Sequence, residues 1–387
     1  MPTRRTALAG IAATALAVPF AGATPALAAP STPAPANRNR PRWPLVIGHR
    51  GAAGYRPEHT LASYELAARM GADFMEPDLV ITRDGVLVCR HEPEIGGTTD
   101  VAQHPEFAGR RVTKVLDGTA VTGWFTEDFT LAELKTLRAV ERLPDVRQHN
   151  RLYDRRYEVP TFQEMLDLRR RLSAELDREI GVYPETKHPT YFQAAGLPLE
   201  RRLLDTLRRN GLNHAAAPVF VQSFEVANLG RLRELGLRTA AVQLLSASGA
   251  PFDTVARGSG PTYADLSTPA GLRGIARYAQ GIGPDKAQVI PRLADGTLGT
   301  PTALVADAHR AGLVVHPYTF RAENTFLPVN LRVGTVPTDY GLAIDEQVTF
   351  LRVGLDGLFT DNADVGVVAR EEFLTTAGRH TLSRPAA

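Results

Sequence analysis

From Leu45 onward the chain repeats one pattern: a short apolar run, a polar residue or two, then a longer amphipathic stretch. The runs read LVIGHRG, ADFMEPDLV, VLVCRH, IGVYPETK, PVFVQSF, TAAVQLL, AQVIPRL, GLVVHPYTF and GLFTDNA. Segments with helical period lie between many of them, at 61–70, 161–176, 199–209 and 303–311. Parallel neighbours need long crossovers, so strands alternating with helices predict a parallel α/β architecture. Polar residues gather at the C-terminal ends of the runs: His49, Glu76, Asp78, His91, Glu185, Gln222, His316 and Asp361. That placement favours a closed TIM-type (β/α)8 barrel over an open doubly wound sheet, because barrels build their sites on that face. Nine runs exceed eight places, and AQVIPRL is the one expected not to be a strand. The glycines of HRGAAG lack dinucleotide-binding spacing.

The barrel is expected over 43–372, followed by a C-terminal tail over 373–387. The distance from His91 to Glu185 is too long for one crossover. Residues 95–155, about, read as an insertion on the site face that could serve as a lid. Within it Thr130 and Glu133 form a capping box. At the N-terminus, TRRTAL leads into an Ala-rich apolar run that ends in ALA at 26–28. This predicts a twin-arginine export signal over 1–28, cleaved near Ala28 to give a secreted protein. The Pro/Ala-rich stretch 29–42 then reads as a flexible linker. Loss of Arg4 and Arg5 would leave 42 basic against 42 acidic residues. Such a balance gives no global field for nucleic acid or an acidic membrane. No later run reaches the roughly 18 apolar residues of a membrane span. Cys89, the single cysteine, reads as a small core residue, and a chain this long needs no disulfide.

Glu76 and Asp78 stand at i and i+2 in an otherwise apolar run, so both face the same side. Uncompensated, each would raise the pKa of the other. A divalent cation removes the conflict, and oxygen ligands suit Mg²⁺ or Ca²⁺. Glu185, closing VYPETK, supplies a third carboxylate, and Lys187 shares its face. A cation with Lys187 and Arg50 suits an anionic oxygen group, most naturally phosphate. His49 and His91 both close runs beside this cluster and fit a general acid and base near neutrality. Gly48 and Gly51 flank His49 and Arg50, as though to let a phosphodiester approach the backbone.

Taken in order, HRG with PEHTLASY, EPDLVITRDGVLVCRHE, YPETKHP, QSF, GIGPDK, VVHPYTFR and DGLFTDNAD resemble the glycerophosphodiester phosphodiesterase family, especially its longer exported bacterial members. The likeness runs from about Ile47 to Asp364. It implies a TIM-type barrel and one divalent cation, calcium or magnesium. It also implies hydrolysis of small-molecule glycerophosphodiesters to sn-glycerol 3-phosphate and an alcohol. By the same likeness His49 and His91 are the catalytic histidines, Glu76, Asp78 and Glu185 the metal ligands, and Arg50 a phosphate contact. Lys187 faces the site, and His316 and Tyr318 line the glycerol pocket, with a packing role as the alternative. The family often has Asp where Glu92 stands, and Asn where His59 stands. His59 therefore receives no catalytic role, while Glu58 is open to pairing with Arg50 or backing the metal. A teichoic-acid or phospholipase D-like phosphodiesterase would use the same groups. A non-catalytic binding protein would have lost some of them.

Overall fold

The computed structural model describes residues 43–382, with side chains through Thr376. The export signal and the linker expected over 1–42 lie outside the described residues. Eight parallel strands carry the fold. They are β1 (Leu45–His49), β2 (Phe74–Glu76, resuming after Pro77 as Asp78–Ile81), β3 (Gly181–Val182, resuming as Glu185–Thr186), β4 (Phe220–Ser223), β5 (Ala240–Leu245), β6 (Gly281–Pro284), β7 (Val314–Val315) and β8 (Gly357–Thr360). Each is followed by a covering helix: α1 (Leu61–Arg69), α2 (Phe162–Glu175), α3 (Glu200–Arg209), α4 (Val226–Glu234), α5 (Pro269–Ile275), α6 (Leu304–Arg310), α7 (Ala343–Arg352) and α8 (Ala363–Leu382). Consecutive strands pair in parallel from β1 to β7. The ring closes where β8 pairs with β1 and where Asp356 N donates to Val315 O at 3.1 Å and Phe320 N to Phe359 O at 2.8 Å. This is the (β/α)8 barrel that the alternating pattern predicts.

Two of the nine runs are not barrel strands. AQVIPRL begins as a short helix, Lys286–Val289, as expected. VLVCRH is a correction: Leu87–Cys89 pairs antiparallel with Asp78–Ile81. Only residues 82–86 separate them, too few for a crossover, and Thr82 Oγ1 bonds Asp84 and Val86 N to close the turn. The missing sixth strand is β6, GIGP, whose apolar signal is diluted by glycine. Those glycines are packing devices. A Cβ on Gly281 would lie 2.7 Å from Val314 Cγ2, and one on Gly283 would lie 2.6 Å from Leu244 Cδ2. At the C-terminus α8 continues through Leu382, past the expected end of the barrel at 372.

Inside the barrel Phe74, Tyr183, Phe220 and Phe359 form an aromatic plug with Ile47, Val242 and Val314. Tyr183 is its centre, edge-on to Phe74 and Phe359 and stacked on Phe220 at centroid distances of 4.9–6.0 Å. Each such ring pair adds about 0.5–1.5 kcal/mol beyond burial, and the plug forms a solid floor for whatever lies above it. Cys89 is wholly buried. Burial pushes its thiol up to about 12, which fits a core residue and not a nucleophile.

Between Cys89 and α2 the chain leaves the barrel. It forms a hairpin of Val112–Leu116 with Thr119–Gly123. A short helix, Leu131–Leu134, follows, with Thr130 and Glu133 in a reciprocal capping box.

Candidate active site

Strand register does most of the assembly. His49 pairs across the sheet with Glu76, Asp78 with Glu185, and Glu185 with Gln222. Side chains in register on parallel neighbours share a face, so these groups converge at the C-terminal mouth. They line a cavity of ≈ 290 Å³ with Arg50, His91, Lys187, Lys286, Tyr318 and Arg321.

Glu76, Asp78 and Glu185 each offer an oxygen within 4.8 Å of the others, and all three are buried. Burial, then the charges of Asp78 and Glu185, hold the Glu76 carboxyl well above its ordinary range. Glu185 is pushed up to about 8, first by burial, with Asp78 adding and Lys187 opposing. Asp78 stays ionised. Burial works against its charge, but Lys187 and the hydrogen bond from His59 outweigh it. Asp78 Oδ1 and Gln222 Oε1 are buried with no hydrogen-bond partner. Three crowded carboxylates and an orphaned ligand oxygen fit a hard divalent cation, which would relieve the repulsion and take the unused lone pairs.

His59 backs this cluster. Its Nε2 lies 2.9 Å from Asp78 Oδ2 and its Nδ1 2.7 Å from Tyr64 Oη. An ionised Asp78 can only accept, so Nε2 carries the proton and Nδ1 accepts from the tyrosine. Glu58 takes the first of its open roles: it receives Arg50 Nη1 at 2.9 Å. Arg50 Nε lies 3.4 Å from Asp78 Oδ2. The Arg50 backbone is itself bent to this purpose. Its φ of +59° is left-handed, and its N–H donates to Glu76 Oε2 at 2.8 Å. Strain of this kind persists only where surrounding contacts impose it.

The two histidines are held alike. His49 Nδ1 lies 2.6 Å from Asp361 Oδ1, and His91 Nδ1 is hydrogen-bonded to Glu92. Both carboxylates are ionised acceptors, so each imidazole keeps its proton on Nδ1 and presents an Nε2 lone pair. Burial, then the Arg50 charge, lowers His49 to about 4. Burial, Arg50 and Lys187 lower His91 to about 3. The pockets differ on one point: Lys187 Nζ stands 3.2 Å from His91 Nε2 and 2.9 Å from Glu185 Oε1.

The residues marked in the sequence mostly converge here, with two corrections. His316 does not line the cavity. It is wholly buried in the aromatic plug, 2.9 Å from Tyr183 Oη, with Phe220 edge-on at 5.3 Å. Its place two residues before Tyr318 belongs to the barrel interior and not to the mouth; Tyr318 does line the cavity. The glycines do not open the backbone to a ligand either. A Cβ on Gly48 would meet Ala67 Cβ at 2.8 Å, and one on Gly51, whose φ is +89°, would meet the Ser63 backbone at 2.5 Å. They let α1 press against the loop that carries His49 and Arg50. No residue of 95–155 lines this cavity; Asp117 of the insertion lines an adjoining one that shares Glu185, Lys187 and Phe224 with it. Lys286 and Arg321, missed in the sequence, do line it. Lys286 Nζ donates to Glu346 at 2.7 Å and Arg321 Nε to Asp361 Oδ2 at 2.8 Å. Lys286 stood in the quoted GIGPDK and Arg321 in VVHPYTFR, but neither ended an identified strand.

Comparison with known proteins agrees with this geometry. The model of the glycerophosphoryl diester phosphodiesterase family matches residues 49–365. A glycerophosphodiester phosphodiesterase of Arabidopsis thaliana is 36% identical over 330 residues, 82% of this chain and 83% of its own. One of Haemophilus influenzae is 29% identical over 84% of this chain and 88% of its own. Among solved structures, an Oleispira antarctica phosphodiesterase in complex with the product sn-glycerol-3-phosphate superposes with a TM-score of 0.55 at 20% identity, covering 85% of this chain and 97% of that one. A glycerophosphodiester phosphodiesterase from Agrobacterium tumefaciens gives 0.51 at 18% identity, covering 83% and 98%. The match of the family model from His49 to past the last barrel strand leaves one conclusion: this chain belongs to the glycerophosphoryl diester phosphodiesterase family.

Proposed function

We propose that the protein hydrolyses glycerophosphodiesters to sn-glycerol 3-phosphate and an alcohol, using His49 and His91 as its acid–base pair. The observation that carries this reading is the convergence on one cavity of three buried carboxylates, two carboxylate-held imidazoles and the cations Arg50 and Lys187. The product complex of the Oleispira antarctica relative supports the substrate class.

Glu76, Asp78 and Glu185 hold the cation, Ca²⁺ or Mg²⁺, which when bound neutralises phosphate charge and polarises its oxygen. Arg50 and Lys187 face the remaining phosphate oxygens, where fixed donors stabilise the charge that develops on displacement. Two neutral imidazoles divide the proton work through their different neighbours. His49 Nε2 takes the proton of the glycerol hydroxyl beside the phosphate, and that oxygen attacks phosphorus. On the opposite side His91 Nε2 relays the proton of the Lys187 ammonium hydrogen-bonded to it to the departing alcohol oxygen as its bond to phosphorus breaks. Water then opens the cyclic phosphate with the proton roles reversed. Asp361 and Glu92 keep both rings turned for this, as in other carboxylate–histidine pairs. Tyr318 lines the glycerol side.

We propose further that residues 1–28 act as a twin-arginine export signal, cleaved near Ala28, so that this chemistry takes place outside the cytoplasm; N-terminal sequencing of the protein from culture medium checks that. Among the described residues no helix is long and apolar enough to cross a membrane.

The activity itself is tested by incubating the purified protein with glycerophosphocholine plus Ca²⁺, Mg²⁺ or EDTA, and measuring sn-glycerol 3-phosphate. Metal-dependent release is expected. No release with either metal overturns the reading.

A further inference from the structure

The insertion between Cys89 and α2 lines none of the catalytic cavity, yet two of its arginines reach the groups behind it. Arg142 is clamped between two carboxylates. Its Nη1 and Nη2 donate to Glu92 Oε1 and Oε2 at 3.0 and 2.6 Å. Its Nε and Nη2 donate to Glu58 Oε2 and Oε1 at 2.8 and 2.7 Å. Arg147 is deeper, 7% exposed. It donates from Nη2 to Asp361 Oδ2 and from Nε to Glu323 Oε1, both at 2.6 Å, and from Nη1 to Ala53 O at 2.9 Å.

Glu92 and Asp361 are the carboxylates that hold the two histidines. Each therefore has one oxygen edge on an imidazole and a guanidinium from the insertion at its back. A planar guanidinium fixes a carboxylate in orientation as well as in charge. An acceptor so fixed sets both the tautomer and the tilt of the ring it receives.

We propose that the insertion is a brace for the acid–base pair: Arg142 positions His91 through Glu92, and Arg147 positions His49 through Asp361. The inference rests on the reading of His49 and His91 as that pair. It gives a catalytic use to a segment none of whose residues lines the cavity around the carboxylates. Arg142 also steadies Arg50 through Glu58, so the brace reaches the phosphate contact. The charged groups around each ring are few. Asp361, Arg50 and Arg321 act on His49, and Glu92, Arg50, Lys187 and Asp78 act on His91. Arg147 meets its histidine's shell through Asp361, whereas Arg142 reaches His91 through Glu92 and, through Glu58, the Arg50 guanidinium that acts on both rings.

The test uses the full-length metal-loaded protein and the variants Arg142→Gln, Arg147→Gln, Arg142→Lys and Arg147→Lys. Two readouts are followed: steady-state kinetics, and the downfield Nδ1–H resonances of the two imidazoles, assigned with His49→Ala and His91→Ala. Each glutamine variant is expected to lower kcat about 10–100-fold, the usual scale for loss of an outer-shell partner, with KM changed less than about threefold. Each should shift or broaden the resonance of its own histidine clearly more than that of the other. The lysine variants keep the charge but lose the fork, and should recover part of kcat. Arg147→Gln made in an Asp361→Asn background should add little further loss, since the shared path is already cut. Both resonances unmoved while kcat falls, or both disturbed equally by either variant, would overturn the brace in favour of a general folding role. The parent reading fails separately: it falls if His49→Ala and His91→Ala turn over normally, whatever the arginines do.

Discussion

The two histidine–carboxylate pairs look alike chemically and are built in opposite ways. His49 ends β1 and Asp361 follows β8, 312 positions away, so that pair exists only when the first and last strands have met. His91 and Glu92 are neighbours in the chain, on a loop leaving the antiparallel strand Leu87–Cys89. The first pair is nearly sealed, with side chains 11% and 3% exposed; the second is 28% and 29% exposed. Closure of the barrel supplies precision to one side of the cavity. On the other side the chain supplies proximity without effort, and orientation has to come from Arg142. A single site thus draws on both long-range topology and a local arrangement that is secured from outside.

The contrast breaks most visibly in stability. Asp361 is buried and receives His49, Arg147 and Arg321. Asp361→Asn leaves Arg321 and Arg147 close together with only Glu323, on Arg147, as counter-charge and should cost about 3–5 kcal/mol, as for other broken buried ion pairs. Glu92→Gln, half-solvated, should cost about 1 kcal/mol or less. Urea denaturation of the two variants checks this, and equal losses would erase the distinction.

In activity the pairs should converge again. His49→Ala and His91→Ala are each expected to lower kcat by at least about 100-fold. Asp361 keeps Arg147 and Arg321 in the first variant, so its melting temperature should remain within a few degrees of wild type. A large loss of turnover for only one of the two would show that the pair does not share the proton work.

How much of this was visible beforehand follows the same division. Strand ends are legible because an apolar run stopping at a charged residue is a one-dimensional signal. Glu76, Asp78, Glu185, His49 and His91 all carried it. Asp361 carried it too, at the end of GLFTD, but its partner lies across the closure and no spacing reveals that. β6 escaped because close packing against the neighbouring strands selects glycine at 281 and 283, which removes the pattern that marks a strand. Leu87–Cys89 looked like a barrel strand because burial gives hairpin and barrel strands the same composition; only the short 82–86 link told them apart. His316 was misplaced because 314, 316 and 318 all face the barrel interior, and only depth along the strand separates Val314 and His316 in the plug from Tyr318 at the mouth. Arg142 and Arg147 stand in irregular chain, where no period assigns a face.

The smallest effect separates the two members of the first pair by pH. His49 is held near 4, by burial first and then by Arg50. The unfolded chain therefore takes up its proton from about 6.5 downward, while the folded one does not until near 4. Stability from this group is complete above about 6.5 and declines as pH falls towards 4. Asp361 lies well below its ordinary range: burial opposes its charge, but Arg321, Arg147 and His49 prevail. Its contribution is complete above about 3.9 and is lost only as pH falls further, through the folded value. The windows do not overlap. His49→Ala should lessen the loss of stability between about pH 6.5 and 4, to which the lowered His91 and His316 also contribute, and leave the steeper loss below it. Asp361→Asn should flatten the lower window. Urea midpoints taken across both ranges resolve the two. A variant that flattens the wrong window would mean that the proton shared between the rings of charge around His49 is not held where its neighbours put it.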